Sequence, residues 1–255
     1  TKVVLRIMPK PEAVKTMLAI YNSLEDAGRT VSAIIADGII PATLEMLDRL
    51  TIKAVEESIH AGFPLDAEAV LLIELDGLKD GMERLAERIM EICKKNNARE
   101  VKAAKTEAER KQLWAGRKGA FGAIARLRPN YLVCDGTVPR TKLPEVLTKV
   151  MEVGKKYDLV IANVFHAGDG NLHPLILFDE RNEEELRRVH LAGSEIMKLC
   201  AEAGGTISGE HGIGTEKKKE MLFVFTPQDI GAMKKVKIAF DPEDVYNPGK
   251  VLPEV

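Results

Sequence analysis

The chain has few of the residues that mark a disulfide-stapled or nucleic-acid-binding protein. Among 255 residues there are only 3 cysteines, Cys93, Cys134 and Cys200, widely spaced and odd in number, which argues against a disulfide framework or a CxxC site. Aromatic residues make up 5%, with Trp114 the single tryptophan. Neither sign of charge is in excess. Lys and Arg number 37 against 39 Asp and Glu, a formal net charge of −2 that lacks the basic surplus expected of a nucleic-acid partner. No apolar run approaches the roughly 20 residues that span a bilayer. The opening Thr1-Lys2-Val3-Val4-Leu5-Arg6-Ile7-Met8 is short and broken by charge, unlike a secretory signal. These absences together fit a reducing cytoplasm, with any membrane association peripheral and through a partner.

What is present is a chain 45% hydrophobic and 30% charged, long enough to bury a substantial core. Val3–Met8 reads as a strand that begins without a lead-in and needs a sheet to join, as in a piece cut from a longer chain. Pro9 and Pro11 end it, and the spacing of Val14, Met17, Leu18, Tyr21 and Leu24 predicts a helix over 13–27. Strands are expected at 42–47, 69–75 and 100–104, with helices at 51–60 and 78–96. After a helix at 106–127 the pattern restarts: strand 131–134, helix 141–157, strands 159–165 and 173–178, helix 183–203 and strand 206–208. Each half reads β-α-β-β-α-β, the split-βαβ or ferredoxin-like unit, the first with one inserted helix. The expected fold is therefore α+β: a duplicated ferredoxin-like antiparallel sheet with helices on one face. The last thirty residues read as short helices and a turn-rich tail.

Histidine is scarce as well, yet three of the 5 fall in two glycine-braced segments. His166 and His173 bracket Gly168-Asp169-Gly170-Asn171, a composition suited to a tight hairpin turn. Pairing across that hairpin would set both imidazoles on adjacent strands. Glu210 and His211 lie in Ser208-Gly209-Glu210-His211-Gly212, expected at the end of the last strand. Two imidazoles and a carboxylate are ligands for a divalent metal of the zinc type and leave positions open, as catalytic sites do. A histidine is also the natural proton acceptor near neutral pH. The bland reading, solvated histidines beside a turn, suits an arbitrary pair better than this one. His60 and His190 lie within helical patterns without partners and take that bland reading. The 208–214 loop lacks the Gly-Lys-Ser ending of a phosphate loop. Trp114 and Arg117 share a helix face, where the guanidinium fork can clamp a small carboxylate. Asp135 through Arg140 reads as a turn leading into a helix capped by Thr141.

These segments together resemble the C-terminal, substrate-side half of the FAD-linked oxidases of the vanillyl-alcohol-oxidase type, in the branch that oxidises 2-hydroxy acids such as glycolate and D-lactate. The resemblance rests on Leu113–Lys118, Asp135–Arg140, Asn163–Pro174, Ile207–Gly214 and Asn247-Pro248-Gly249-Lys250, and covers essentially the whole chain. It implies that 1–10 closes an FAD-binding domain, 11–225 is the substrate-binding cap and 226–255 returns to the flavin domain. It implies FAD as cofactor, bound mainly by a domain ahead of Thr1, with Arg140 and Asn247 near it. It also implies His166, His173 and Glu210 as ligands of a divalent metal, His211 as general base and Arg117 as the substrate-carboxylate clamp. The expected partners are a 2-hydroxy acid, the flavin domain of the same polypeptide, an iron-sulfur electron-transfer subunit and a second copy of the chain. Phe121 and Val133 stand where relatives with dicarboxylate substrates carry polar groups, which points to a small monocarboxylate. By itself the chain is expected to be inactive and free of flavin. Two other functions fit the residues without the resemblance: a stand-alone metal hydrolase using His166, His173 and Glu210, and a non-catalytic binding module.

Overall fold

The computed structural model describes residues 2–7 and 9–254. Residues 2–7 form no strand and are exposed, and Met8, the end of the expected strand, lies outside the described residues. The first strand is instead β1 (Ala13–Tyr21), within the stretch whose spacing predicted a helix. Every residue from Met17 to Tyr21 is buried, so the strand shows no in–out alternation and mimics helical spacing by accident. The helix begins later, at α1 (Leu24–Ala36), where the Ser23 hydroxyl accepts from the Asp26 N–H.

The chain continues through β2 (Thr43–Asp48), α2 (Arg49–Ser58), β3 (Ala69–Gly77), α3 (Met82–Lys95), β4 (Glu100–Ala103) and α4 (Glu107–Ile124). The second half holds β5 (Asn130–Val133), β6 (Gly136–Thr137), α5 (Leu143–Lys156), β7 (Val160–Phe165), β8 (Asn171–Leu172), β9 (Pro174–Phe178) and α6 (Glu183–Glu202). The helix α7 (Pro227–Phe240) and a turn-rich tail follow. A 3-10 turn over Arg140–Lys142 precedes α5, so Thr141 is not its cap. The strand expected at 206–208 is reduced to one bridge between Thr137 and Thr206.

Seven strands form one antiparallel sheet in the order β4-β1-β3-β2-β7-β9-β5, while β6 and β8 make a small ladder beside it. The two halves meet at a narrow seam, Met46 opposite Phe165 and Leu47 opposite Val164. Helices cover both faces, not one. On one side Val31 and Ile34 of α1, Ile89 of α3, Val150 of α5 and Ile196 of α6 pack on Met17, Leu71, Ile73 and Ile176. On the other, Ile52 and Val55 of α2 and Ala120 and Ile124 of α4 pack on Leu18, Val70, Val164 and Leu175. A sheet sandwiched this way buries both sides of its central strands, which is why β1 and β3 read as continuous apolar runs. Among the described residues no helix is long and apolar enough to cross a membrane.

Candidate active site

Acidic side chains of the sheet break the apolar face under α4. Glu74 of β3 accepts from Thr16, Arg110 and the Trp114 indole, the last at 2.7 Å. Trp114 is thus tied to Glu74. One helical turn further on, Arg117 is 7% exposed and faces Glu45 of β2, which is 6% exposed. The Arg117 Nε donates to Glu45 Oε2 at 3.0 Å, and Nη2 lies 2.9 Å from the same oxygen. The other oxygen, Oε1, lies 3.0 Å from His166 Nδ1. The Glu45 hydrogen bond raises the His166 pKa against the opposing effect of burial.

His166 follows β7, and His173 comes immediately before β9. The turn between them is a 3-10 turn over Ala167–Asp169 followed by β8, and β8 pairs with β6. Gly170 has φ of 73°, and a Cβ there would stand 2.2 Å from the Val138 carbonyl, so the position requires glycine. The hairpin sets the two imidazoles edge to face with ring centroids 5.3 Å apart. His173 is 2% exposed, and neither of its ring nitrogens has a hydrogen-bond partner among the described residues. Burial first, and then the neighbouring His166, lower its pKa to about 4.

Glu210 and His211 come from a loop organised by Asp135, which is fully buried. Its Oδ1 accepts from the backbone N–H groups of Gly209 and Glu210 at 3.1 and 3.2 Å. Its Oδ2 accepts from the Ser208 hydroxyl and the His211 N–H, each at 2.8 Å, and from Lys217 at 3.3 Å. Successive N–H groups wrapped on one carboxylate form an anion nest. Burial acts to raise the Asp135 pKa, but these hydrogen bonds overcome it and hold the carboxyl well below the usual range. Gly209 packs against Asn171, whose Oδ1 would lie 2.6 Å from a Cβ there.

The loop delivers Glu210 Oε1 to 3.1 Å from His173 Nε2 and 3.7 Å from His166 Nε2. The His211 ring stacks on His173 with centroids 5.1 Å apart, and its Nε2 is 3.9 Å from Glu210 Oε1. Asp135, His173, Glu210 and His211 each offer a ligand atom within 4.8 Å of the others, so a cation can be held here. Asp135 is the least available of them, because five groups already donate to it. Glu210 and His211 are half exposed, so the site has an open side. Phe121 meets His173 edge-on at 6.1 Å. Arg140 donates to the Gly168 carbonyl, and Asn247 lies exposed in the tail with φ of 50°. Glu45 carried no sequence signal, because a lone acid in a strand has no motif. Asp135 stood in a motif but read only as part of a turn.

Comparison with known proteins adds an independent line. Over 253 residues the chain is 50% identical to glycolate oxidase subunit GlcD of Escherichia coli strain K12, covering 99% of this chain and 51% of that protein. It is 45% identical over 251 residues to glycolate oxidase subunit GlcD of Bacillus subtilis strain 168, covering 98% and 53% respectively. The chain thus spans about half the length of the curated relatives it matches. The fold is similar to that of p-cresol methylhydroxylase with substrate bound, at a TM-score of 0.73 and 16% identity over 96% of this chain and 53% of that one. Residues 10–251 match the family described as FAD linked oxidases, C-terminal domain, and the chain belongs to that family.

Proposed function

We propose that this chain is the substrate-side part of a flavin-dependent 2-hydroxy acid oxidoreductase acting on a small substrate such as glycolate or D-lactate. The relatives named glycolate oxidase subunit support the class of substrate. The observation that carries the site is the meeting of His166, His173 and Glu210 around a buried imidazole with no hydrogen-bond partner. Two imidazole nitrogens within 4 Å of one carboxylate oxygen suit a divalent cation, and these three residues would hold it. His166 is preferred to Asp135 as the third ligand because the Asp135 oxygens are already engaged.

When bound, such an ion supplies positive charge that favours an ionised substrate hydroxyl, and the family's flavin supplies a hydride acceptor. The chemistry assigned to this chain's own residues stops at the proton. Arg117 binds the substrate carboxylate, its contacts to Glu45 using Nε and Nη2 and leaving Nη1 for the ligand. Phe121 and Val133 line the same face of the sheet and offer nothing polar to a second carboxylate. His211, half exposed and beside Glu210, takes the hydroxyl proton at Nε2 and can return it to solvent.

The same reading divides the chain into 1–10, the end of a flavin domain, 11–225, the cap, and 226–255, the returning tail, with Arg140 and Asn247 toward the flavin. The two sheet halves are read as ferredoxin-like units. The order β4-β1-β3-β2 supports this for the first, and the second keeps β7-β9-β5 with its last strand lost. An iron-sulfur subunit as electron acceptor rests on the resemblance alone. The test is His211→Ala in the flavin-containing enzyme. Turnover of glycolate or D-lactate should fall by about 10²–10⁴, and unchanged turnover would remove the proton-acceptor role.

A further inference from the structure

We propose that Glu45 is a positioning residue. It fixes His166 with its proton on Nδ1 and joins the carboxylate clamp Arg117 to the cation site. The inference rests on the reading of His166 as a cation ligand given above. The two oxygens of Glu45 have separate partners: Oε2 takes Arg117 through Nε at 3.0 Å, and Oε1 faces His166 Nδ1 at 3.0 Å. Glu45 is buried on β2, Arg117 on α4, so neither can turn away to water. An ionised carboxylate only accepts, so the hydrogen between Oε1 and Nδ1 must belong to the imidazole. Nε2 is the nitrogen left to face Glu210 Oε1, 3.7 Å away. An unprotonated Nε2 and a carboxylate oxygen facing each other across that gap repel unless a proton or a cation stands between them.

A histidine ligand with its other nitrogen donating to a carboxylate is held in one ring orientation and made more basic. Here the carboxylate also holds an arginine from a different element. Any loosening of the Glu45–Arg117 contact when a substrate carboxylate draws on the guanidinium is felt at His166. Ligand affinity and cation affinity are then coupled, and by linkage each changes the other by the same factor.

Two measurements on the protein decide this. Nitrogen-15 NMR of the His166 ring without metal should show a proton on Nδ1, and a ring protonated on Nε2 alone overturns the proposal without any variant. Zinc titrations of wild type, Glu45→Gln, His166→Ala and the double variant form a cycle. Glu45→Gln should weaken zinc binding about 10–100-fold, and that loss should vanish in the His166→Ala background. An equal loss in both backgrounds means Glu45 acts through general packing and overturns the role. Loss in His166→Ala with wild-type affinity in Glu45→Gln overturns it too, but leaves the cation reading intact. Wild-type zinc affinity in His166→Ala instead overturns the cation reading, and the ring tautomer alone then judges Glu45.

Discussion

An imidazole buried without a hydrogen-bond partner favours its neutral form, and the price appears as pH-dependent stability. For His173 the folded pKa is lowered from 6.5 to about 4. The unfolded chain therefore binds the proton first as pH falls. The stabilisation is present above about pH 6.5 and lost progressively between 6.5 and 4. His166 moves the other way: its raised pKa stabilises the fold below the unfolded value and is lost as pH rises through the folded one. The window from 6.5 down to 4 thus isolates His173 within this pair. Denaturant unfolding across it should show His173→Gln losing less stability than wild type, by up to roughly 3 kcal/mol. Parallel pH profiles would show that the ring is not held neutral. Asp135 poses the opposite problem, a buried anion with every lone pair used. Asp135→Ala leaves the buried Lys217 and the N–H groups of 209–211 unpaired. A cost of about 3 kcal/mol or more is expected in equilibrium unfolding, together with loss of zinc binding, because Glu210 and His211 lose their mooring.

At the scale of elements, the site exists because two turns have no room for side chains. In the loop after α6, Gly209 stands against Asn171 of β8, and in the hairpin Gly170 stands against Val138. Gly209→Ala forces Asn171 or the loop to move, and should weaken zinc binding at least tenfold while costing about 1–3 kcal/mol of stability. Isothermal titration and thermal melting measure the two separately. Retained affinity would mean that the loop tolerates the shift and that Gly209 serves only packing. The hairpin itself was legible in the sequence, since Gly-Asp-Gly-Asn between apolar runs has few other uses. β1 was not. Helices on both faces bury all of Met17–Tyr21, so the alternation that normally reveals a strand is absent. The last strand of the second half was expected at 206–208 and shrinks to the Thr137–Thr206 bridge, because the backbone beyond it is taken by Asp135.

In the molecule as a whole, the site straddles the seam between the two halves of the sheet. Glu45 lies on the first-half strand β2 and Arg117 on α4, while His166, His173 and Glu210 come from the second half. The seam has two residue pairs, few for a seven-stranded sheet. A ligand that draws both sides together should stabilise this join most. Amide exchange at Met46, Leu47, Val164 and Phe165 should slow on adding zinc, and the unfolding free energy should rise by RT ln(1 + [zinc]/Kd). Unchanged exchange at the seam with slowing confined to 206–214 would place the ion on the loop alone.

The sequence by itself determined the family and the candidate side chains. Scarce histidines in glycine-braced segments, a Glu-His pair and an arginine one turn from a tryptophan named the candidate side chains and the family, because these motifs are local and their residue types have few other uses. Alternating signals also gave an antiparallel α+β fold with most of its helices in place. Only the tertiary structure decided how those parts are held. Glu45 reaches His166 from 121 positions away in the chain, and Asp135 reaches the 208–211 loop from more than 70. It also decided that helices lie on both faces, since which side of a strand is covered depends on elements far along the chain. A buried acid that orients a ligand leaves no spacing pattern of its own, because its partners are neighbours in space and not in sequence.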